Sequence, residues 1–185
     1  MTSLTLQAYP YEVVGTTPQL ILRELETSDE QAFFKLTSDV EVMRFSFSGP
    51  RTLEQSNEIL KDFRASYLKH GLGKWGVFRK ETFEFIGYCG LMLDQVQGQL
   101  QWEVGFRFFP AYWNRGYATE AATLALKIGF ARGVDTIVGF SEPRNKASIQ
   151  VLKKLGMEYN GLFLYNEHEM ELYHLQREHF LKTEK

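Results

Sequence analysis

The segment Tyr112-Trp113-Asn114-Arg115-Gly116-Tyr117-Ala118-Thr119-Glu120-Ala121 joins a compact Arg-Gly turn directly to an alanine-rich helix, a junction suited to holding phosphate. The first turn of a helix leaves backbone N–H groups without internal partners, and the aligned peptide dipoles make that end partly positive. An anion satisfies both. Gly116 has no Cβ, so backbone can approach a bulky diphosphate there. Arg115 adds a cation, and Ala118, Ala121, Ala122 and Ala125 keep one helix face thin. Without a ligand the same residues make an ordinary strand-to-helix turn.

Other residues with chemical potential each carry a plainer reading. Asn145 precedes Ser148 by three residues, so its side chain can cap a helix by accepting from the Ser148 amide. Cys89 lies in the apolar run Phe85-Ile86-Gly87-Tyr88-Cys89-Gly90-Leu91-Met92-Leu93, which favours a small buried thiol over a nucleophile. Glu167-His168-Glu169-Met170-Glu171-Leu172 contains the start of the zinc motif His-Glu-x-x-His. Leu172 stands where the second histidine belongs, and no metal site is expected. On a strand, Glu169 and Glu171 share a face, either as solvated charges or as an attraction for a cation. Phe45 and Phe47, in Phe45-Ser46-Phe47-Ser48-Gly49-Pro50, either anchor a loop to the core or line a recognition surface.

The elements that must position these residues follow from periodicity and from start and stop signals. Residues 20–25 read as a strand, and Thr27 with Glu30 offers capping-box chemistry for a helix. Thr52 and Gln55 repeat that signal ahead of Ile59, Leu60, Phe63, Tyr67 and Leu68, and Gly71 supplies the stop. Strands over 74–80, 85–93 and 100–109 form an antiparallel meander through their short connections. The spacing then predicts a helix over 117–131 ending near Gly133 and a strand over 135–140, parallel to the strand before that helix. A shorter helix carries Ile149, Leu152 and Leu155 and closes at Gly156, before final strands over 162–165 and 168–175. The order predicts a mixed α/β fold with one mostly antiparallel, twisted sheet of about seven strands and helices on both faces.

At 185 residues and 44% hydrophobic content, the chain suits a single domain spanning 1–185, with 1–17 as a loosely attached first segment. A net charge of −2 gives no electrostatic case for binding nucleic acid. One cysteine cannot form an internal disulfide, Met1-Thr2-Ser3-Leu4-Thr5-Leu6-Gln7 lacks the pattern of an export signal, and no long apolar run suggests a membrane span. A cytoplasmic protein, monomer or homodimer, without membrane or direct nucleic-acid partners, is the expectation.

The ten residues from Tyr112 to Ala121 resemble the acetyl-coenzyme A loop of the GNAT acetyltransferase superfamily, in the branch of the Rim-type ribosomal-protein N-terminal acetyltransferases. The superfamily pattern is Gln/Arg-x-x-Gly-x-Gly/Ala; Gly116 and Ala118 match it, while Trp113 replaces the first residue, a departure typical of the Rim-like branch. Trp102-Glu103-Val104-Gly105-Phe106 resembles the family's fourth strand, and Tyr173-His174-Leu175-Gln176-Arg177-Glu178 the Rim-like ending. The resemblance runs from about Leu20 to Phe180.

The resemblance implies a GNAT-like fold with a splayed parallel strand pair forming the cofactor cleft. It implies acetyl-coenzyme A as cosubstrate, and a primary amine as acceptor: a protein N-terminus of ribosomal-protein type, or a small amine such as a polyamine, amino acid or antibiotic. Asn114, Arg115, Gly116, Tyr117, Ala118 and Thr119 would hold the diphosphate. Backbone at Phe106, Arg107 and Phe108 would pair with the pantetheine amides as a strand edge pairs with a peptide. Asn145 would contact the pantetheine from the opposite wall. Glu103 would collect the amine proton, against the plainer reading of a salt-bridged strand carboxylate. Many superfamily members carry a tyrosine acid where Leu152 stands here; Ser148, as in Rim-like relatives, would instead hydrogen-bond the thiol sulfur. The missing tyrosine leaves open a non-catalytic acyl-coenzyme A sensor.

Overall fold

Alternating apolar side chains organise the chain into strands whose two faces each need a cover. The structure, a computed structural model, describes residues 12–183, so the expectation for Met1 to Gln7 lies outside the described residues. Among the described residues eight strands form one sheet: β1 (Val13–Thr16), β2 (Leu20–Arg23), β3 (Lys74–Arg79), β4 (Phe85–Val96), β5 (Gln99–Phe108), β6 (Thr136–Ser141), β7 (Glu158–Tyr165) and β8 (His168–Gln176). Their order is β1-β2-β3-β4-β5-β6-β8-β7, antiparallel throughout except for β5 and β6.

The eighth strand is β1, within the segment expected to be loosely attached. It pairs with β2, and the turn between them is fastened to the rest of the molecule by Glu120, which accepts from the Gln19 amide at 3.0 Å and Gln19 Nε2 at 2.7 Å. The Thr17 hydroxyl donates to the same carboxylate. Such long-range fastening leaves no local signature in sequence.

Six helices cover the described sheet: α1 (Glu30–Thr37), α2 (Val40–Met43), α3 (Leu53–His70), α4 (Tyr117–Ala131), α5 (Lys146–Lys154) and α6 (Arg177–Thr183). α3 starts and stops as its sequence dictates. Thr52 and Gln55 exchange capping hydrogen bonds of 3.2 and 3.0 Å, and Gly71 ends the helix at φ +65°. Ahead of α1, Glu26 and Asp29 form the capping box in place of the expected Thr27 and Glu30. The cause is Arg23 at the end of β2, which grips both Asp29 oxygens at 2.7 and 2.8 Å, so the chain enters one residue earlier through a 3₁₀ turn over Thr27–Asp29. The short α2, capped by Asp39, and the terminal α6 carry too few periodic residues for sequence alone to reveal.

Two apolar cores hold the sheet. In the larger, Phe33 and Phe63 from α1 and α3 pack on Tyr88 of β4, with ring centroids 5.4 to 5.7 Å apart. On the other face α4 lies close to the sheet: Ala121, Ala122 and Ala125 are fully buried, and a Cβ on Gly129 would collide with Leu91. Each large apolar side chain buried here contributes about 1.5–3 kcal/mol. A smaller core of Val96, Val138, Phe163, Met170 and Leu172 stabilises the β6–β8–β7 side. Both cores cross the seam between β5 and β6, since Ile137 of β6 and Tyr173 and Leu175 of β8 belong to the larger one and Val96 of β4 to the smaller.

Candidate active site

The seam opens early. β5 and β6 pair only at Trp102 with Ile137 and Glu103 with Val138, although β5 continues to Phe108 and β6 to Ser141. Beyond those two pairs β5 stays bonded to β4 and β6 to β8, each partner pulling its strand away from the seam. The result is a cleft of about 810 Å³ whose walls include the splayed stretch of β5 and the entries of α4 and α5. Both helices follow directly from the parallel strands, so their N-termini stand at the carboxyl ends of the opening, where α/β sheets bind ligands.

At the α4 entry Asn114 adopts φ +58° and Gly116 φ +84°, left-handed backbone that carries the chain from a 3₁₀ turn (Pro110–Tyr112) into the helix. No side chain caps α4, and its first intrahelical bond runs from the Glu120 amide to the Gly116 carbonyl at 3.0 Å. Three amides, of Tyr117, Ala118 and Thr119, precede that bond at the cleft wall. A Cβ built on Gly116 meets no atom within 4 Å, so the space in front of it is open. Trp113 donates from Nε1 to the Phe108 carbonyl at 2.7 Å, pinning the loop to the end of β5.

Of the sequence-derived candidates, Glu103, Phe106, Arg107, Phe108, Asn114, Gly116, Tyr117, Ala118, Thr119, Asn145 and Ser148 all line this one cleft. Arg115 does not. It lies exposed between the left-handed Asn114 and Gly116. Asn145 caps α5 as its spacing dictates, accepting from the Ser148 amide at 3.3 Å. The Ser148 hydroxyl has no hydrogen-bond partner among the described residues. Leu152 is buried against the same wall and offers no proton. Cys89 is fully buried, and burial pushes its thiol well above the ordinary range.

Glu103 is not a bare carboxylate. Its Oε2 accepts from Lys74 Nζ at 2.7 Å, with both side chains largely withdrawn from solvent. Burial acts to lower the Lys74 ammonium, but the adjacent Glu103 charge and hydrogen bond hold it above the ordinary lysine value. Arg107 reaches from β5 toward α2, with Nη1 2.9 Å from Met43 Sδ and 3.5 Å from the Val42 carbonyl.

A second wall rises on the sheet face that carries Glu103. Tyr165 donates to Asp94, with its oxygen 2.9 and 3.0 Å from the two carboxylate oxygens; burial and this bond hold the phenol above its usual range. Phe47 packs edge-on against Tyr165 and stacks with His168, while Phe140 lies 4.7 Å from Tyr165. The loop after α2 is thus joined to the β7–β8 hairpin by aromatic contacts. Arg44 lies over both Phe45 and Trp113.

Lys74, Asp94 and Tyr165 escaped the sequence reading. Asp94 and Tyr165 are 71 residues apart, and only the sheet order brings them together. For Lys74 a signal existed: a charged residue opens a strand whose next four residues are Trp75, Gly76, Val77 and Phe78, and the two following strands each contain a glycine in their interior, Gly90 and Gly105.

The opened parallel seam with helices on both faces is the mixed α/β GNAT fold. The family model for the acetyltransferase (GNAT) domain matches residues 19–158, and the chain belongs to that family. It is similar to the uncharacterised N-acetyltransferase YnaD of Bacillus subtilis (strain 168), 32% identical over 149 residues that make up 80% of this chain and 84% of that one. The crystal structure of a GNAT-family acetyltransferase from Bacillus anthracis superposes with a TM-score of 0.73 at 26% identity, covering 88% of this chain and 98% of that one. Spermidine N-acetyltransferase from Vibrio cholerae, solved with CoA and spermine, shares the fold at 16% identity and a TM-score of 0.73, over 89% of this chain and 99% of that one. Among the described residues no helix is long and apolar enough to cross a membrane.

Proposed function

We propose that this acetyltransferase moves the acetyl group of acetyl-coenzyme A to a primary amine by direct attack in a ternary complex. The observation that carries the reading is the seam: β5 and β6 separate immediately past Glu103, beneath two helix entries. The amides of Tyr117, Ala118 and Thr119 would receive the diphosphate at the positive end of α4. The edge of β5 that parts from β6, along Phe106, Arg107 and Phe108, would pair with the pantetheine amides beside the Trp113 bond to the Phe108 carbonyl, and Asn145 would face them from α5.

In the transfer, the amine nitrogen forms a bond to the thioester carbonyl carbon, and the C–S bond breaks with its electron pair left on sulfur. Glu103 takes the proton released by the nitrogen, directly or through a water. Backbone N–H groups of the splayed strand would stabilise the charge developing on the carbonyl oxygen. The Ser148 hydroxyl, which has no partner among the described residues, would donate a hydrogen bond to the sulfur. A coenzyme A thiol resembles cysteine, with a pKa of about 8.5, so the thiolate leaves without prior protonation and takes its proton from solvent. Positioning supplies much of the acceleration.

The residue resemblance to the Rim-type branch supports a protein N-terminus as acceptor. A second reading, a small amine, is favoured by the wall of Phe47, Phe140 and Tyr165 around Asp94, a carboxylate that accepts from the neutral Tyr165 hydroxyl and Gln95 amide and would attract an ammonium group. Calorimetry with acetyl-coenzyme A tests the cofactor site, and no saturable heat from folded protein would end the reading. Thiol release against a panel of N-terminal peptides and small amines tests the reaction. Tight cofactor binding without amine-dependent release would instead indicate an acyl-coenzyme A sensor.

A further inference from the structure

We propose that Lys74 is a positioning residue of the transfer site, acting through Glu103: its ammonium holds the buried carboxylate as an anion, with one oxygen free, where β5 and β6 part. This rests on the acetyl-transfer reading above.

The sheet is built to deliver this lysine. Lys74 opposes Gly90 across the β3–β4 ladder, and Gly90 opposes Gly105 across the β4–β5 ladder, so the three lie in one row. Side chains in such a row share a sheet face. A Cβ on Gly105 would collide with Lys74 Nζ, and one on Gly90 would come within 2.8 Å of Lys74 Cα. Gly105 therefore keeps the route of the Lys74 side chain to the cleft clear, while Gly90 admits the β3 backbone, where a Cβ would lie 2.0 Å from the Gly73 carbonyl oxygen.

The pair is also poorly explained by stability. The side chains of Lys74 and Glu103 are 16% and 8% exposed, and two charges withdrawn from water gain little over an apolar pair of similar size. What the pair does secure is charge. A carboxylate buried alone would be driven to take up a proton, and a protonated Glu103 could not accept another from the amine. Lys74 occupies Oε2; Oε1 lies toward Gly105, where an ideal Cβ would be 3.0 Å from it, at the start of the splayed stretch. The other groups around the pair are Tyr88 and Cys89 from β4, Arg107 from β5 and Tyr165 from β7, whose hydroxyl is held by Asp94. None of them makes an ion pair to Glu103 among the described residues; Lys74 does.

The test uses the full chain and amine-dependent thiol release, with kcat/KM followed from pH 5 to 9 in wild type, K74M, K74R, E103Q and K74M/E103Q. Loss of an opposite charge in contact moves a carboxyl titration by about 1–3 pH units, so the acid limb of K74M should shift upward by that amount. K74R keeps the charge and should restore most of the wild-type profile. The double variant carries no buried charge at this pair, so it remains informative if K74M does not fold. Its turnover should equal that of E103Q alone, because a residue acting through Glu103 has nothing to add once Glu103 is gone. An unshifted K74M profile, a K74R profile as displaced as that of K74M, or a further loss in the double variant overturns the proposal. Wild-type protein that binds acetyl-coenzyme A yet releases thiol to no amine would instead sink the transfer reading beneath it.

Discussion

Substituting Gly116 by alanine and by asparagine separates two effects that a single variant would merge. The residue sits at φ +84°, and left-handed backbone costs an L-residue about 1–2 kcal/mol, with asparagine more tolerant than alanine. For a chain of this size, about 2–4 °C of melting temperature is lost per kcal/mol, so Gly116→Ala should melt roughly 2–8 °C lower and Gly116→Asn less so. The folded protein itself does not resist either side chain, because nothing lies within 4 Å of the added Cβ. Any loss of cofactor affinity beyond the strain must then come from the ligand that fills the space. Displacing one charge-assisted hydrogen bond to phosphate costs about 1.5–3 kcal/mol, or roughly 10- to 100-fold in Kd. The larger asparagine should weaken acetyl-coenzyme A binding more than alanine while destabilising the fold less, an inverted ranking measurable by calorimetry alongside thermal melts. An asparagine variant that binds with wild-type affinity would refute the placement of the diphosphate at this helix entry.

Glu103→Gln should lower kcat by about 100-fold or more, the scale of general-base catalysis, with little change in acetyl-coenzyme A affinity; full activity would remove Glu103 from the proton path. Ser148→Ala, losing one hydrogen bond to sulfur worth about 0.5–1.5 kcal/mol, should slow turnover about 2- to 10-fold, and steady-state kinetics with a saturating amine would reveal a larger role if the loss exceeded that. Cys89 and Tyr67 are both held above their ordinary values of 9.0 and 10.0, chiefly by burial. Above those values the unfolded chain carries fewer protons than the native one, so their contribution to stability is complete below about pH 9 and is lost as pH rises past it. Melting temperature should therefore fall between pH 8 and 10.5, and the Cys89 thiol should resist modification in native protein. A flat profile would contradict the burial argument.

Much of this architecture is local chemistry, and local chemistry is legible. The capping pair Thr52 and Gln55, the stop at Gly71, the Asn145 cap and the glycine turn into α4 all act within a few residues of themselves, so their types and spacing specify them. Residue pattern alone likewise separated the meander from the helices that follow it. The shifted cap at Asp29 shows the limit: a buried arginine from the preceding strand outbid the nearer threonine for control of the helix start. The edge strand β1 depends in the same way on Glu120, about a hundred residues away in the chain.

The site divides along the same line. Glu103, Ser148 and the α4 entry announce themselves by residue type, yet only tertiary structure decides that eleven of the candidates line one cleft while Arg115 does not. The opening itself is tertiary. β5 and β6 diverge because each is bonded to a different neighbour, a balance of distant contacts that neither strand encodes alone. The partnership of Lys74 with Glu103 has the same origin, since strand order and two missing side chains bring together charges that lie 29 residues apart.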